Sequence, residues 1–309
     1  MAPGEGEAAP GRESAPAPRR ALAGLLKLPA VNTLVRALVR PVAPLLPLPF
    51  LSRVPFVGIA RMELASGVTL ALESDGRDLI ASAIDWRGAA GWEPETFAVL
   101  ERILPTVGAC FDIGASTGVF SLAVALADRA RRVWAFEPAP GMLERLRRNL
   151  ALNHADNVTV VEGAVGEHEG RVELFIPPGH SLPFGASTLA SFRPPGERLD
   201  VAAVRLDAFV AAQGVARVDL LKLDTEGTEP RVLAGARALL KRDEPWIVCE
   251  VLHGMTEPGL HAELDPLGYR YFAITRDGLE RRDRIVGDPT YRDRNWLFAT
   301  PRRLAGLGR

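Results

Sequence analysis

The segment that most constrains this chain runs from Val107 to Ala127. A short apolar run, Val107–Ile113, stops at Gly114, and after the loop to Gly118 a second apolar stretch, Val119–Ala127, has the length of a buried helix. The alternation continues. Val133–Phe136 reads as the next strand, and Pro140 opens a helix with Met142, Leu143, Leu146 and Leu150 inward and Arg145, Arg147 and Arg148 outward. Val158–Val161, Val218–Leu223, Trp246–Val251, Tyr271–Ile274 and Trp296–Ala299 complete seven predicted strands. A helix opened at Pro230 and faced by Val232, Leu233, Ala236, Leu239 and Leu240 lies between the fourth and fifth. Strands alternating with helices predict an α/β fold, a mostly parallel sheet with helices on both faces and right-handed crossovers. Continuously apolar strands agree with burial on both sides. Between the third and fourth strands, β-prone patches Val172–Ile176 and Val201–Leu206 flank a loop rich in Pro, Gly and Ser and predict a hairpin insert.

The amino-terminal third divides differently. Residues 1–19 are Ala, Pro, Gly and Glu with little to bury and no signal-peptide core, which predicts a disordered tail. Residues 20–91 form an appendage. From Ala21 to Arg61 the chain carries Lys27, Arg36, Arg40, Arg53 and Arg61 without one acid. Val31, Leu34, Val35, Leu38 and Val39 recur at helical spacing opposite Asn32, Thr33, Arg36 and Arg40, so an amphipathic helix is expected, packed on the main domain by its apolar side. Prolines 41, 44, 47 and 49 end it, and no apolar run approaches the ~20 residues of a transmembrane span. Peripheral membrane contact through residues 20–60 is the alternative use of that helix. Ser66-Gly67 between Met62–Ala65 and Val68–Leu72 predicts a small hairpin. Pro94 opens a helix with Phe97, Leu100 and Leu104 on one face, leading into a main domain over 92–300 and a short tail over 301–309.

The 309 residues are 47% hydrophobic and 24% charged, the profile of an ordinary globular chain. Lys+Arg 37 against Asp+Glu 38 leaves a formal charge of −1, so no global field draws nucleic acid. No aromatic platform or basic patch marks the main domain either, and a nucleic-acid acceptor is not expected. Cys110 and Cys249 sit inside apolar runs as small buried hydrophobes. Without a disulfide framework a reducing, cytoplasmic setting is the expectation.

Chemistry enters at the loop Phe111-Asp112-Ile113-Gly114-Ala115-Ser116-Thr117-Gly118. Its glycines permit a tight turn and close backbone approach, and the helix behind it offers free amides. Glu137 ends the second strand, about 20 residues on, where a carboxylate accepts from ribose hydroxyls. Only Gly114 and Gly118 stand where a dinucleotide loop wants G-x-G-x-x-G, and no Gly-Lys-Ser/Thr follows, so neither a pyrophosphate nor a phosphate loop is indicated. S-adenosylmethionine carries ribose and adenine without phosphate and is compatible.

These residues resemble the FkbM-like class I methyltransferases, in which a strand ending Asp-x-Gly-Ala-Asn is followed by Phe-Glu-Pro and by Lys-x-Asp-x-Glu-Gly-x-Glu. Here they read Asp112-Ile113-Gly114-Ala115-Ser116, Phe136-Glu137-Pro138, and Lys222-Leu223-Asp224-Thr225-Glu226-Gly227-Thr228-Glu229, with Ser116 in place of asparagine. The likeness spans about residues 92–300 and implies a Rossmann-like, seven-stranded fold. It further implies that Asp112, Gly114, Ala115, Ser116 and Gly118 cradle the methionine part of S-adenosylmethionine, that Glu137 holds the ribose, and that Glu162 and Ala164 neighbour the adenine. The implied reaction is methylation of a hydroxyl on a sugar or small-molecule natural product.

Asp224, Glu226 and Glu229 share one loop, and carboxylates so close need a neutralising partner: Lys222, a helix amino terminus, or a divalent metal such as magnesium held by the three acids. Glu229 could instead serve the helix dipole. A carboxylate of this group, Lys222, His253 or a metal could take the acceptor's proton. His253 follows the fifth strand and is expected over the same cleft. His180 and Gly185-Ala186-Ser187-Thr188 of the insert could touch the acceptor, and Asp207 is expected to cap the helix after Leu206. A donor-binding scaffold without turnover and a nicotinamide oxidoreductase are the rival readings.

Overall fold

The computed structural model describes residues 24–177, 182, 184–192 and 196–306. Its strands are β1 (Val57–Glu63), β2 (Thr69–Asp75), β3 (Ala109–Ile113), β4 (Arg132–Glu137), β5 (Val158–Glu162), β6 (Ala164–Val165), β7 (Gly170–Ile176), β8 (Glu197–Val204), β9 (Leu220–Leu223), β10 (Trp246–Glu250), β11 (Arg270–Thr275), β12 (Gly278–Arg282) and β13 (Asn295–Ala299). Helices are α1 (Pro29–Val39), α2 (Leu48–Leu51), α3 (Leu79–Arg87), α4 (Pro94–Ile103), α5 (Val119–Ala127), α6 (Pro140–Leu152), α7 (Leu206–Ala212), α8 (Glu229–Ala234), α9 (Arg237–Asp243), α10 (Glu257–Leu264) and α11 (Pro301–Gly306).

The central sheet has the order β12-β11-β13-β10-β9-β3-β4-β5. Its half from β10 to β5 is parallel, and β13, β11 and β12 continue it antiparallel. Seven strands were expected and eight are present. The addition is β12, a polar strand (Gly-Leu-Glu-Arg-Arg) that pairs only along one edge, so it lacks the apolar run that marks the others. The insert is likewise larger than a hairpin: β6, only two residues long, joins β7 and β8 in a three-stranded sheet.

Alternation along the strands divides the core into two layers. Cys110, Val133, Ala135, Leu220, Trp246 and Val248 pack toward α4, α5 and the β1–β2 hairpin. Phe111, Trp134, Phe136, Leu221, Ile247 and Cys249 pack toward α7, α8, α9 and α10. The helix predicted from Pro230 is broken into α8 and α9 at Gly235, where a Cβ would stand 2.1 Å from the Gly166 carbonyl oxygen. Asp207 does not cap its own helix; it accepts from Ala238 N at 3.1 Å and Leu239 N at 2.9 Å, at the amino end of α9.

The hairpin is tied to α6 by side chains that act as a surrogate strand. Asn153 accepts from Ala71 N and donates to Ala71 O, at 2.8 and 2.6 Å, and Asn149 accepts from Glu73 N at 2.8 Å. Arg145, expected outward, is buried under the same hairpin and bonds the Glu73 carbonyl and Asp75. The helix period marks Arg145 polar, but the hairpin presents a carbonyl and a carboxylate on what would otherwise be a solvated face.

The amino-terminal helix docks rolled from its pattern, with Val31, Val35 and Val39 half-buried. Asn32 and Arg36 of α1 are buried, whereas Leu34 and Leu38 are exposed. Asn32 donates to Leu26 O and Pro55 O and accepts from Val57 N. Arg36 pairs with Asp85 of α3, donates to Val54 O and Pro55 O, and lies 3.8 Å from the Trp86 ring centre. A planar guanidinium satisfies all of these at once. Arg36→Ala is expected to destabilise the appendage by about 3 kcal/mol, at the low end for a broken buried pair because Arg40 still reaches Asp85. Limited proteolysis should then cut residues 24–53 faster while the central sheet keeps its unfolding transition.

Candidate active site

The order of the parallel strands locates the site. From β3 the chain builds outward through β4 and β5, then returns across β3 to place β9 on its other side. The loops after β3 and β9 therefore diverge, leaving a crevice at the carboxyl edge where open α/β sheets bind ligands. Asp112 pairs in register with Lys222, and Lys222 with Val248, so Asp112 and Lys222 stand on one face of the sheet. Two residues on, Glu250 stands on that face opposite Asn295.

Gly114 makes the junction possible. Its φ is +81°, and a Cβ there would lie 1.9 Å from the Asp224 carbonyl oxygen. Ser116 (φ +53°), Glu226 (φ +56°) and Glu93 (φ +42°) are non-glycine residues in the left-handed region, and all three line the crevice. Such backbone costs of order 1–3 kcal/mol each and gathers at functional sites. The crevice is lined from β3, β4, β9 and β10 and from the insert.

At one end, Glu137 accepts from Ser116 N at 2.8 Å and Ala139 N at 2.9 Å and is nearly fully buried. Burial pushes its carboxyl up to about 7, against the pull of those amides. Asp112 accepts from Ser121 Oγ at 2.5 Å, and burial raises it to about 6. At the other end Lys222 Nζ lies 3.1 Å from Asp224 Oδ2. Burial works to lower the Lys222 pKa, but the charges of Asp224, Glu93 and Asp112 outweigh it and hold the ammonium above its ordinary value. Arg294 pairs with Glu250 at 2.8 Å, while Glu93 and Thr96 Oγ1 both accept from Asn295 Nδ2 at 2.9 Å. Burial, then the charges of Asp224 and Glu226, push the Glu250 carboxyl upward.

The Methyltransferase FkbM domain matches residues 108–271, which hold both strands of this junction and both loops. The chain belongs to the FkbM methyltransferase family. It is 32% identical over 151 residues to 31-O-demethyl-FK506 methyltransferase FkbM of Streptomyces tacrolimicus, covering 40% of this chain and 58% of that protein. Methyltransferase sdnD of Sordaria araneosa is 32% identical over 210 residues, covering 57% of this chain and 78% of that one. The match thus spans little more than half of the Streptomyces enzyme. The crystal structure of methyltransferase FkbM from Methylobacillus flagellatus KT shares 21% identity, with a TM-score of 0.41, over 62% of this chain and 43% of that chain.

In this FkbM chain the sequence-predicted residues separate into those that meet and those that do not. Asp112, Gly114, Ala115, Ser116, Glu137, Ala164, Lys222, Asp224 and Glu226 line one cavity with Gly185-Ala186-Ser187-Thr188 of the insert. Gly118 caps α5 with φ +88° beneath the loop. Glu162 is not among the lining residues; it is exposed at the end of the edge strand β5 and drawn to Arg147 of α6, while Gly163 and Ala164 line the cavity. His253 also lies outside. Val251 and Leu252 are buried, and the turn beyond them carries His253 away, with Nδ1 2.8 Å from Gly287 O. His180 falls outside the described residues.

The metal expectation does not fit. Glu229 turns from Asp224 and accepts from Thr225 N, Thr225 Oγ1 and Gly227 N, at 2.8, 3.0 and 3.3 Å. Among the described residues no three His, Cys, Asp or Glu side chains converge as a metal set. The Lys222 ammonium supplies the countercharge that the sequence left open. Sequence reading missed Glu93 and Arg294 and gave Glu250 no role. Glu250 had a visible signal, since it ends a strand as Glu137 does; Glu93 and Arg294 arrive through long-range packing with none.

The buried acids give a signed pH dependence. Glu137 rises from 4.5 to about 7 and Asp112 from 3.8 to about 6, so between those values the fold holds more protons than the unfolded chain. Stability then falls as pH rises through that window and levels above about 7. Denaturant midpoints of the ligand-free protein should decline from about pH 5 to about pH 7; a rise over that interval would contradict the burial of these carboxyls.

Proposed function

We propose that this protein transfers the methyl of S-adenosylmethionine to a hydroxyl oxygen of a small molecule or sugar. The observation that carries the reading is that the Gly114–Ser116 loop with Glu137 and the Lys222–Asp224 pair open into a single cavity. The two relatives reported above are named as methyltransferases, and the printed name of one concerns an O-demethylated natural product.

The chemistry of the first end suits the donor: a buried carboxylate beside a glycine turn that lets the loops after β3 and β9 meet. When bound, S-adenosylmethionine supplies a methyl group on a sulfonium, a leaving group already activated. In this reading Asp112, Gly114, Ala115 and Ser116 position the methionine part, Glu137 accepts from the ribose hydroxyls, and Ala164 borders the base. Asp224 takes the acceptor's proton as its oxygen attacks. Lys222, held protonated 3.1 Å from Asp224, orients that carboxylate, so it acts as a countercharge and not as the base. Phe97, Phe120, Val165 and Phe184 line the cavity and exclude water around the donor. Alignment supplies most of the acceleration, since positioning is worth about 7–11 kcal/mol in well-oriented systems.

Asp224→Asn is expected to lower kcat about 10²–10³-fold while leaving donor affinity within about threefold. The measurement is methylation of a hydroxylated panel, followed by mass detection of added CH₂ and titration calorimetry of the donor. Tight donor binding without product from the wild-type protein would favour a scaffold, and binding of NAD without S-adenosylmethionine would reject the cofactor.

A further inference from the structure

The roll of α1, with Asn32 and Arg36 buried and Val31, Val35 and Val39 half-buried, leaves Leu34 and Leu38 exposed. Asn32 and Arg36 fix the roll of the helix through bonds to Leu26 O, Pro55 O, Val54 O and Asp85. With that roll set, Leu34 and Leu38, one turn apart, point away from the protein. The chain on either side of α1 carries further exposed apolar side chains. Leu28, Val42, Leu45 and Phe50 are exposed as well, with Leu38 at 71% and Leu45 at 84% of full accessibility. Elsewhere among the described residues exposed large apolar side chains are scattered singly, as on any soluble surface.

Charge decides what this surface fits. From Gly24 to Arg61 there is no acidic residue, and Arg53 and Arg61 are exposed, while Arg40 shares Asp85 of α3 with Arg36. Arg53 lies over the Phe50 ring, 4.8 Å from its centre, so a cation stands directly beside an exposed aromatic. Protruding leucines and a phenylalanine among arginines match the boundary of an anionic bilayer, where apolar side chains enter the acyl edge and guanidinium groups meet phosphates. A second copy of the same surface would set arginine toward arginine, with Asp85 already engaged by Arg36 and Arg40. α1 has 11 residues and no described helix can span a bilayer, so the contact lies in the interface plane.

We propose that residues 24–53 form a docking surface for anionic membrane, independent of the methyl-transfer reading. The test is cosedimentation of the full chain with phosphatidylcholine vesicles, with and without phosphatidylglycerol, at low and high salt. Binding is expected to the anionic vesicles, about tenfold weaker at high salt. Leu38→Glu with Leu45→Glu should weaken it at least about tenfold, with thermal unfolding and donor binding unchanged, since neither side chain packs in the fold. Three results would overturn the proposal: a wild-type protein that stays in the supernatant with anionic vesicles, vesicle binding indifferent to the double substitution, or a dimer in light scattering that the substitutions dissociate.

Discussion

The contact between the Gly114 backbone and the Asp224 carbonyl is the constraint on which the site depends. It exists because β9 returns to pair with β3 in register, and because the residue after β3 has no side chain. Two loops from distant parts of the chain then open from one point at the carboxyl edge of the sheet. Everything else in the crevice is placed relative to that pair: Glu137 through the Ser116 amide, Glu250 by the pairing of β10 on β9, and Glu93 by Asn295 on β13. A Cβ at Gly114 would separate β3 from β9 and displace both groups of residues together.

The electrostatics follow from the same geometry. Strand alternation aims Asp112, Glu137, Lys222 and Glu250 at one face, and the loops add Glu93, Asp224 and Glu226. Lys222 and Arg294 are the cations lining that cavity, and each is held charged by neighbouring carboxylates that outweigh burial. The acids answer by holding protons: Glu93, Asp112, Glu137 and Glu250 are all raised. Asp224 and Glu226 thus face Lys222 and Arg294 across a cavity whose remaining acids are held toward their neutral forms by burial.

What could be read in the sequence is what local pattern determines. The parallel strands, the glycine loop, the carboxylate ending β4 and the Lys222–Asp224 motif all carry their signal within a few residues. Misses arose where a partner remote in sequence decides. Arg145 is buried because a hairpin some 70 residues upstream offers it Glu73 O. Asp207 caps α9 and not α7. Glu229 has the residue type of a metal ligand, but three donors of its own loop claim it first. His253 was placed by counting from a strand end, and a turn takes it elsewhere.

Helix α1 shows the same limit in energetic form. Periodicity establishes that it has two faces and leaves open which one docks. Burying Leu34 and Leu38 would each contribute roughly 1.5–3 kcal/mol. The fold forgoes that gain and instead satisfies the Pro55, Val54 and Leu26 carbonyls and the Asp85 carboxylate through Asn32 and Arg36. Those groups would be costly to bury unpaired, at about 1–3 kcal/mol each and more for the carboxylate. Asn32 and Arg36 turn inward because the surface beneath them offers carbonyls, a carboxylate and the Trp86 ring, so the orientation is set by the hydrogen bonds of the segment 54–57 and of α3. A leucine face beneath α1 would have required a different loop before β1, and the sequence of the helix alone holds no record of that loop.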